Sequence, residues 1–292
     1  MTYNTRHSKS GINLPNLLTL YLAAMGMVVL LSGFSVTEVE FNSMDVPPNK
    51  FKIRQAKQKG LPAPEGVPGS PVKATLTKPE GKGPFPAIVM FSTAGGWQDT
   101  PRHWRKRLNA WGYVTLEVGA ENEFSNNLQS QNQVLDAIGA LEYLQEVPYV
   151  DSNRVAVMGW DQGAETALWA IDARSWASKH KDRFVAAVAI YPPCDLIAVG
   201  QFFSPALIIS AELDGLAKPS SCERLVKSVP SGLNVPILKI MPGAYHWFDL
   251  PHRPDLTSYM TFSQTFDMTY EYNAKATEAA VNHVSSFLEA NF

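Results

Sequence analysis

Arg154-Val155-Ala156-Val157-Met158-Gly159-Trp160-Asp161-Gln162-Gly163-Ala164 is the stretch of this 292-residue chain that says most about its fold. The run from Arg154 to Met158 is compact and mostly apolar, as a strand buried on both faces is. A Gly-x-acid-x-Gly turn follows it, and an Ala/Leu-rich helical stretch follows the turn. Small residues are needed on both sides of Asp161 if it occupies a strained bend that lifts its side chain above a sheet. In such a bend the next backbone N–H lies at a helix N-terminus, where it can face developing negative charge.

Outward from this stretch the chain alternates short apolar runs with amphipathic segments. Strands are predicted at Ala87 to Phe91, bounded by Pro86 and the pair Gly95-Gly96, and at Val114 to Leu116. More are predicted at Val185 to Tyr191, Ala206 to Ser210 and Val235 to Met241. Helical spacing marks Trp104 to Trp111, and a last helix is predicted from Ala274 to Glu289. Between Gln131 and Leu144, residues Val134, Ile138, Leu141 and Leu144 share one helical face. Strands alternating with helices predict an α/β fold, a mainly parallel central sheet with helices on both faces. The Pro-, Gly- and Lys-rich segment from Pro47 to Pro86 is read as a peripheral hairpin and its loops. No repeat or charge block stands out, and no linker-like break follows Pro86.

Residues 1–37 are a different kind of sequence. Arg6, His7 and Lys9 precede Gly11 to Thr37, which holds no Asp, Glu, Lys or Arg, and the centre Leu17 to Leu31 reads LLTLYLAAMGMVVLL. A basic start, an apolar run and then Ser32, Gly33 and Ser35 match a secretory signal peptide. At ~1.5 Å per residue the run also nearly crosses a ~30 Å hydrocarbon core, so it can stay as an N-terminal membrane anchor. The expected organisation is therefore 1–37 as signal or anchor and 38–292 as one α/β domain, exported to the periplasm or another extracytoplasmic space. Any membrane contact is expected through the N-terminal segment alone, if it is uncleaved. In an oxidising compartment Cys194 and Cys222 can close a disulfide worth roughly 3–4 kcal/mol, since both flank one edge of the predicted sheet. The alternative is two buried thiols that never meet.

Composition excludes several classes. With 25 Lys+Arg against 27 Asp+Glu the net charge is -2, which gives no electrostatic footprint for nucleic acid. A 45% hydrophobic share and 24 Phe and Tyr residues rule out intrinsic disorder. Two cysteines cannot build a Cys-rich zinc site, His246 and His252 lack helical ligand spacing, and Glu121 with Glu123 reads as a solvated loop. No metal is expected. No G-x-G-x-x-G or P-loop occurs, so no nucleotide cofactor is expected either.

Two further residues stand where open α/β sheets bind ligands, just past strand carboxyl ends. Asp214 follows Ala206 to Ser210, and His246 follows the strand ending at Met241. The order Asp161, Asp214, His246 is that of nucleophile, acid and base.

With these motifs the chain resembles the dienelactone hydrolase family of α/β-hydrolases, over roughly Val72 to Phe292. The resemblance rests on Pro86 to Met90 leading to Gly95-Gly96, the turn Gly159 to Gly163, and Tyr191-Pro192-Pro193-Cys194. It continues through Glu212-Leu213-Asp214, Cys222, Pro242 to His246 and the final helix. It implies Asp214 as the acid, His246 as the base, and Ser92 to Gly96 as the oxyanion loop. The implied donors are the backbone N–H near Thr93 and that of Gln162. Three departures stand out. Asp161 replaces the family's Cys or Ser, Ser92-Thr93 replaces a His-Gly, and Asp249 lies where an arginine commonly holds the substrate carboxylate.

An aspartate in this position restricts the chemistry. Attack on an ordinary ester would form a mixed anhydride while expelling a more basic alkoxide, an uphill exchange. Attack on an sp3 carbon bearing halide or an epoxide oxygen gives an alkyl ester that His246 can hydrolyse by deprotonating water, with Asp214 fixing the ring. Trp97 and Trp160 are conceivable halide donors and Tyr245 an epoxide donor, although such residues more often serve packing, and no cap domain is evident. The expected function is hydrolysis of a small organic substrate. Asp161 can instead act as a general base on water. The alternative from another class is a catalytically degenerate relative serving as a binding or structural protein of the envelope. Oligomeric state leaves no mark in the sequence.

Overall fold

The computed structural model describes residues 34–92, 99–119, 130–197, 200–251, 269 and 271–292. Its strands are β1 (Ser35–Asn42), β2 (Pro71–Lys78), β3 (Phe85–Phe91), β4 (Val114–Val118), β5 (Val150–Trp160), β6 (Ala187–Ile190), β7 (Ala206–Ala211) and β8 (Ile237–Met241). The helices are α1 (Lys50–Gln58), α2 (Asp99–Ala110), α3 (Ser130–Glu146), α4 (Gln162–Trp169), α5 (Pro219–Ser228) and α6 (Ala274–Asn291). One eight-stranded sheet runs in the order β1-β2-β4-β3-β5-β6-β7-β8. The six strands from β4 to β8 pair in parallel, and β2 and β1 extend the sheet antiparallel. The predicted α/β architecture is the one observed.

Period-two alternation sorts the strands' side chains into two cores. Val89, Phe91, Val155 and Val157 face the layer that holds Val134 and Leu141 of α3 and Leu168 of α4. Ile88, Met90, Met158 and Trp160 face the layer of Trp104 and Leu108 of α2 and Val284 and Leu288 of α6. Strand order reverses between β3 and β5, so their carboxyl ends, Phe91 and Trp160, flank the crevice where such sheets bind ligands.

The structure differs from expectation at the amino-terminal side. β1 begins at Ser35, inside the stretch assigned to the leader, and pairs along its whole length with β2. The segment read as a peripheral hairpin contains helix α1 instead, and β2 takes its partner from before that segment. Five cations and no acid lie between Lys50 and Lys59, so a charge run does exist. The apolar run Leu17 to Leu31 lies outside the described residues, among which no helix is long and apolar enough to cross a membrane.

Candidate active site

The turn after β5 is built by mutual exclusion. A Cβ on Gly159 would collide with the Gly163 carbonyl, and one on Gly163 with the carbonyl of Phe91 on β3. Only glycines let helix α4 start this close to β5. Asp161 between them takes φ 52° and ψ -117°, a left-handed conformation that L-residues seldom adopt. Its backbone N–H donates to Ile190 on β6 and its own C=O accepts from Ala164, so the neighbouring chain holds the bend in place.

Asp214 and His246 arrive on loops after β7 and β8 that are fastened together. Leu213 N donates to Ala244 O at 2.8 Å, and Gly243 N to the Glu212 carboxylate at 2.7 Å. One oxygen of Asp214 accepts from the backbone N–H groups of Leu216 and Ala217, at 2.9 and 2.8 Å. The other is 2.7 Å from His246 Nδ1. A carboxylate only accepts, so the ring proton sits on Nδ1 and leaves Nε2 facing the other way. Nε2 lies 4.0 Å from Asp161 Oδ1, with no hydrogen-bond partner among the described residues. The three side chains, predicted from positions 53 and 32 residues apart, thus share one buried site.

Burial disfavours charge on the Asp161 carboxyl and raises its pKa, against the opposing pull of His246 and of the Gln162 backbone N–H. Burial also works against a charged His246. The hydrogen bond and charge of Asp214, with Asp161 and Asp249 beyond, outweigh it and hold the imidazole above its usual value.

Sequence reasoning missed a second polar cluster. Asp249, also buried, accepts from Trp104 Nε1 at 2.8 Å and from the Tyr191 hydroxyl at 3.0 Å. Burial raises its pKa although both bonds favour the anion. The Tyr191 ring packs 4.6 Å from the imidazole, and Trp247 5.1 Å from it. Tyr191 and Trp247 are, with Asp161, the non-glycine residues of positive φ among those described. Backbone strain is therefore concentrated around His246. The available signal was one acid inside the apolar run Trp247-Phe248-Asp249-Leu250, which calls for buried donors.

Other predicted residues fare unevenly. The Gln162 backbone N–H favours the charged form of the Asp161 carboxyl. Thr93, Trp97, Glu121, Glu123 and His252 lie outside the described residues. Trp160 is buried against Trp104, with ring centroids 6.1 Å apart, and its Nε1 has no hydrogen-bond partner among the described residues. Tyr245 is half-buried. Cys194 and Cys222 form a disulfide tying the loop after β6 to α5, close to the strand end that presents Tyr191. A separate cleft of about 400 Å³, lined by Trp169, Arg174, Ser175, Trp176 and Lys179, lies at the far end of α4. Asp172 already pairs with the Arg174 there, and none of the three clustered residues reaches it.

The dienelactone hydrolase family matches residues 72–292. Esterase FrsA of Klebsiella pneumoniae is 29% identical over 103 residues, 34% of this chain and 25% of the esterase. The chain therefore spans about a quarter of the length of the curated relatives it matches. Among solved structures, the dienelactone hydrolase-like promiscuous phosphotriesterase P91 from metagenomic libraries aligns with TM-score 0.59 at 16% identity, over 89% of this chain and all of that one. Esterase 2 of Thermogutta terrifontis, phosphorylated by paraoxon, aligns with TM-score 0.53 at 18% identity, over 67% and 86% of the two chains. These two likenesses are of fold.

Proposed function

The chain belongs to the dienelactone hydrolase family, and from that premise we propose that it hydrolyses a small organic substrate through Asp161 as covalent nucleophile. The observation that carries this reading is the position of the buried Asp161 carboxylate, on a left-handed turn at the start of α4 and 4.0 Å from an imidazole nitrogen.

An Asp161 oxygen attacks an sp3 carbon from behind its leaving group. The carbon–halide or carbon–epoxide bond breaks with its electron pair on the departing atom, and an alkyl ester of Asp161 forms. His246 Nε2 then takes a proton from water, whose oxygen adds to the Asp161 carboxyl carbon. The negative charge of the tetrahedral intermediate develops on an oxygen of Asp161 itself, in a place where the Gln162 N–H already favours the carboxylate's charged form. Collapse returns the proton from His246 to the departing alkoxide and leaves Asp161 as a carboxylic acid, whose proton is lost with the halide or passes to the alkoxide formed when the epoxide opened. The sum is substrate plus water giving an alcohol and hydrogen halide from a halide, or a diol from an epoxide. Asp214 holds the ring and balances its transient charge.

The site of action in this reading is extracytoplasmic, supported by the apolar run ahead of β1 and by the Cys194–Cys222 disulfide. A second reading, a non-catalytic relative, draws on the raised pKa of His246 between two carboxylates, since a protonated ring is no base.

The test is a turnover screen of halides, epoxides and activated esters, with intact mass of His246→Gln incubated with each. The expected result is turnover of a halide or epoxide and a stable alkyl adduct on the peptide containing Asp161. Full activity in Asp161→Asn, or turnover by the unaltered protein without an adduct in His246→Gln, would remove the covalent mechanism. No turnover of any probe would favour the second reading.

A further inference from the structure

Helix α1 is an exception to the burial logic of the rest of the fold. It starts on Asn49, whose side chain accepts from the Phe51 N–H at 2.8 Å, and none of its residues is buried. Only Ile53 and Ala56, three residues apart, are half-covered, and they mark the face turned toward the protein. At about 100° per residue Phe51 stands on the opposite face, and it is 70% exposed. Lys50 and Arg54 lie on one side of Phe51 around the helix, with Lys52 and Lys59 on the other. Lys57 completes a set of five cations within ten residues.

No Asp or Glu occurs from Val46 to Pro64, and none of the five cations makes an ion pair among the described residues. The whole chain carries a net charge of -2, so this positive face is local and set against the overall sign. Leu61 and Val67, which follow in sequence, are also exposed, at 59% and 64%.

A polar helix that holds an aromatic ring out in water between cations matches a bilayer interface, where a ring enters the headgroup layer and ammonium groups meet lipid phosphates. We infer that α1 is a membrane-surface element, lying along an anionic phospholipid surface with Phe51 inserted and Lys50, Lys52, Arg54, Lys57 and Lys59 on the headgroups. A nucleic-acid face would have the cations without needing the exposed ring at their centre. The inference is independent of the chemistry at Asp161.

The experiment uses the full chain carrying Phe51→Cys, labelled there with an environment-sensitive nitrobenzoxadiazole dye. The native cysteines are paired, so position 51 is the one thiol to label. Vesicles of phosphatidylcholine with and without phosphatidylglycerol are titrated in at low and high salt. The expected result is a blue-shifted, brighter emission with phosphatidylglycerol that high salt reverses. Replacing Lys50, Lys52, Arg54 and Lys57 by Gln should weaken the response roughly fivefold per charge removed. Because those side chains are exposed, the circular dichroism of that variant should be unchanged. The salt titration on the labelled protein tests the idea without it. An equal response to phosphatidylcholine alone would mean that an apolar contact, such as the N-terminal run, does the binding, and would overturn the proposal. So would no response to either vesicle, or one as large to a DNA duplex.

Discussion

His246 Nε2 and Asp161 Oδ1 stand 4.0 Å apart, close enough to share a charge and too far to share a proton directly. That spacing makes the imidazole sensitive to the charge on Asp161. Replacing Asp161 with Asn should lower the His246 pKa, because one of the carboxylates that raise it is gone. Titration of the ring by NMR in both proteins checks this, and an unmoved midpoint would show that the two groups are electrically separate.

The same shift sets a pH profile. His246 must be neutral to take a proton from water, and its folded-state pKa lies above the ordinary imidazole value. In the alkyl ester Asp161 is uncharged, so the rate of its hydrolysis should rise with pH through a midpoint below that of the ring in the free protein. Single-turnover decay of the adduct across pH, set beside NMR titration of the ring, measures the difference. Equal midpoints would mean that the Asp161 charge does not reach the imidazole.

Asp161→Ser tests whether the remaining machinery is sound. A serine there should adopt the same bend, because the tight contacts fall on Gly159 and Gly163. Hydrolysis of a short activated ester should appear, where the unaltered protein gives little.

Asp249 is expected to matter for stability first. Asp249→Ala removes the acceptor shared by the buried Trp104 and Tyr191 donors and should cost about 3–5 kcal/mol; Tyr191→Phe, losing one bond, should cost about 1–2 kcal/mol. Urea unfolding midpoints compare the two. Equal, small losses would mean that the cluster is loosely held.

Asp136 on α3 gives a change of opposite sign. Burial pushes its pKa from 3.8 up to about 6. Folding then holds a proton that the unfolded chain releases between those values, so stability falls as pH rises through that window and stays lower above it. Asp136→Asn should raise stability at pH above 6 by up to about 3 kcal/mol and change little below pH 4. Thermal unfolding at both pH values reads the difference.

The sequence revealed the parallel sheet wherever strands are buried on both faces, since Ala87 to Phe91 and Val155 to Met158 form unbroken apolar runs. The three clustered side chains were legible for a related reason, each following a strand's carboxyl end. β1 was not, because it is an edge strand whose exposed Val36, Glu38 and Glu40 blur into the uncharged stretch before it. Helix α1 escaped because no apolar stripe marks it; Ile53 and Ala56 are all it leans on. The Asp249 cluster joins side chains 58 and 145 residues apart, a spacing that no local pattern encodes.

The interlocked glycines around residue 161 have one more consequence. They concentrate the close contacts on two positions that carry no side chain, and position 161 answers only for the left-handed bend itself. Folding and chemistry are thereby uncoupled at this corner. A lineage can exchange the attacking atom, and with it the kind of bond it opens, while the framework beneath stays as it is.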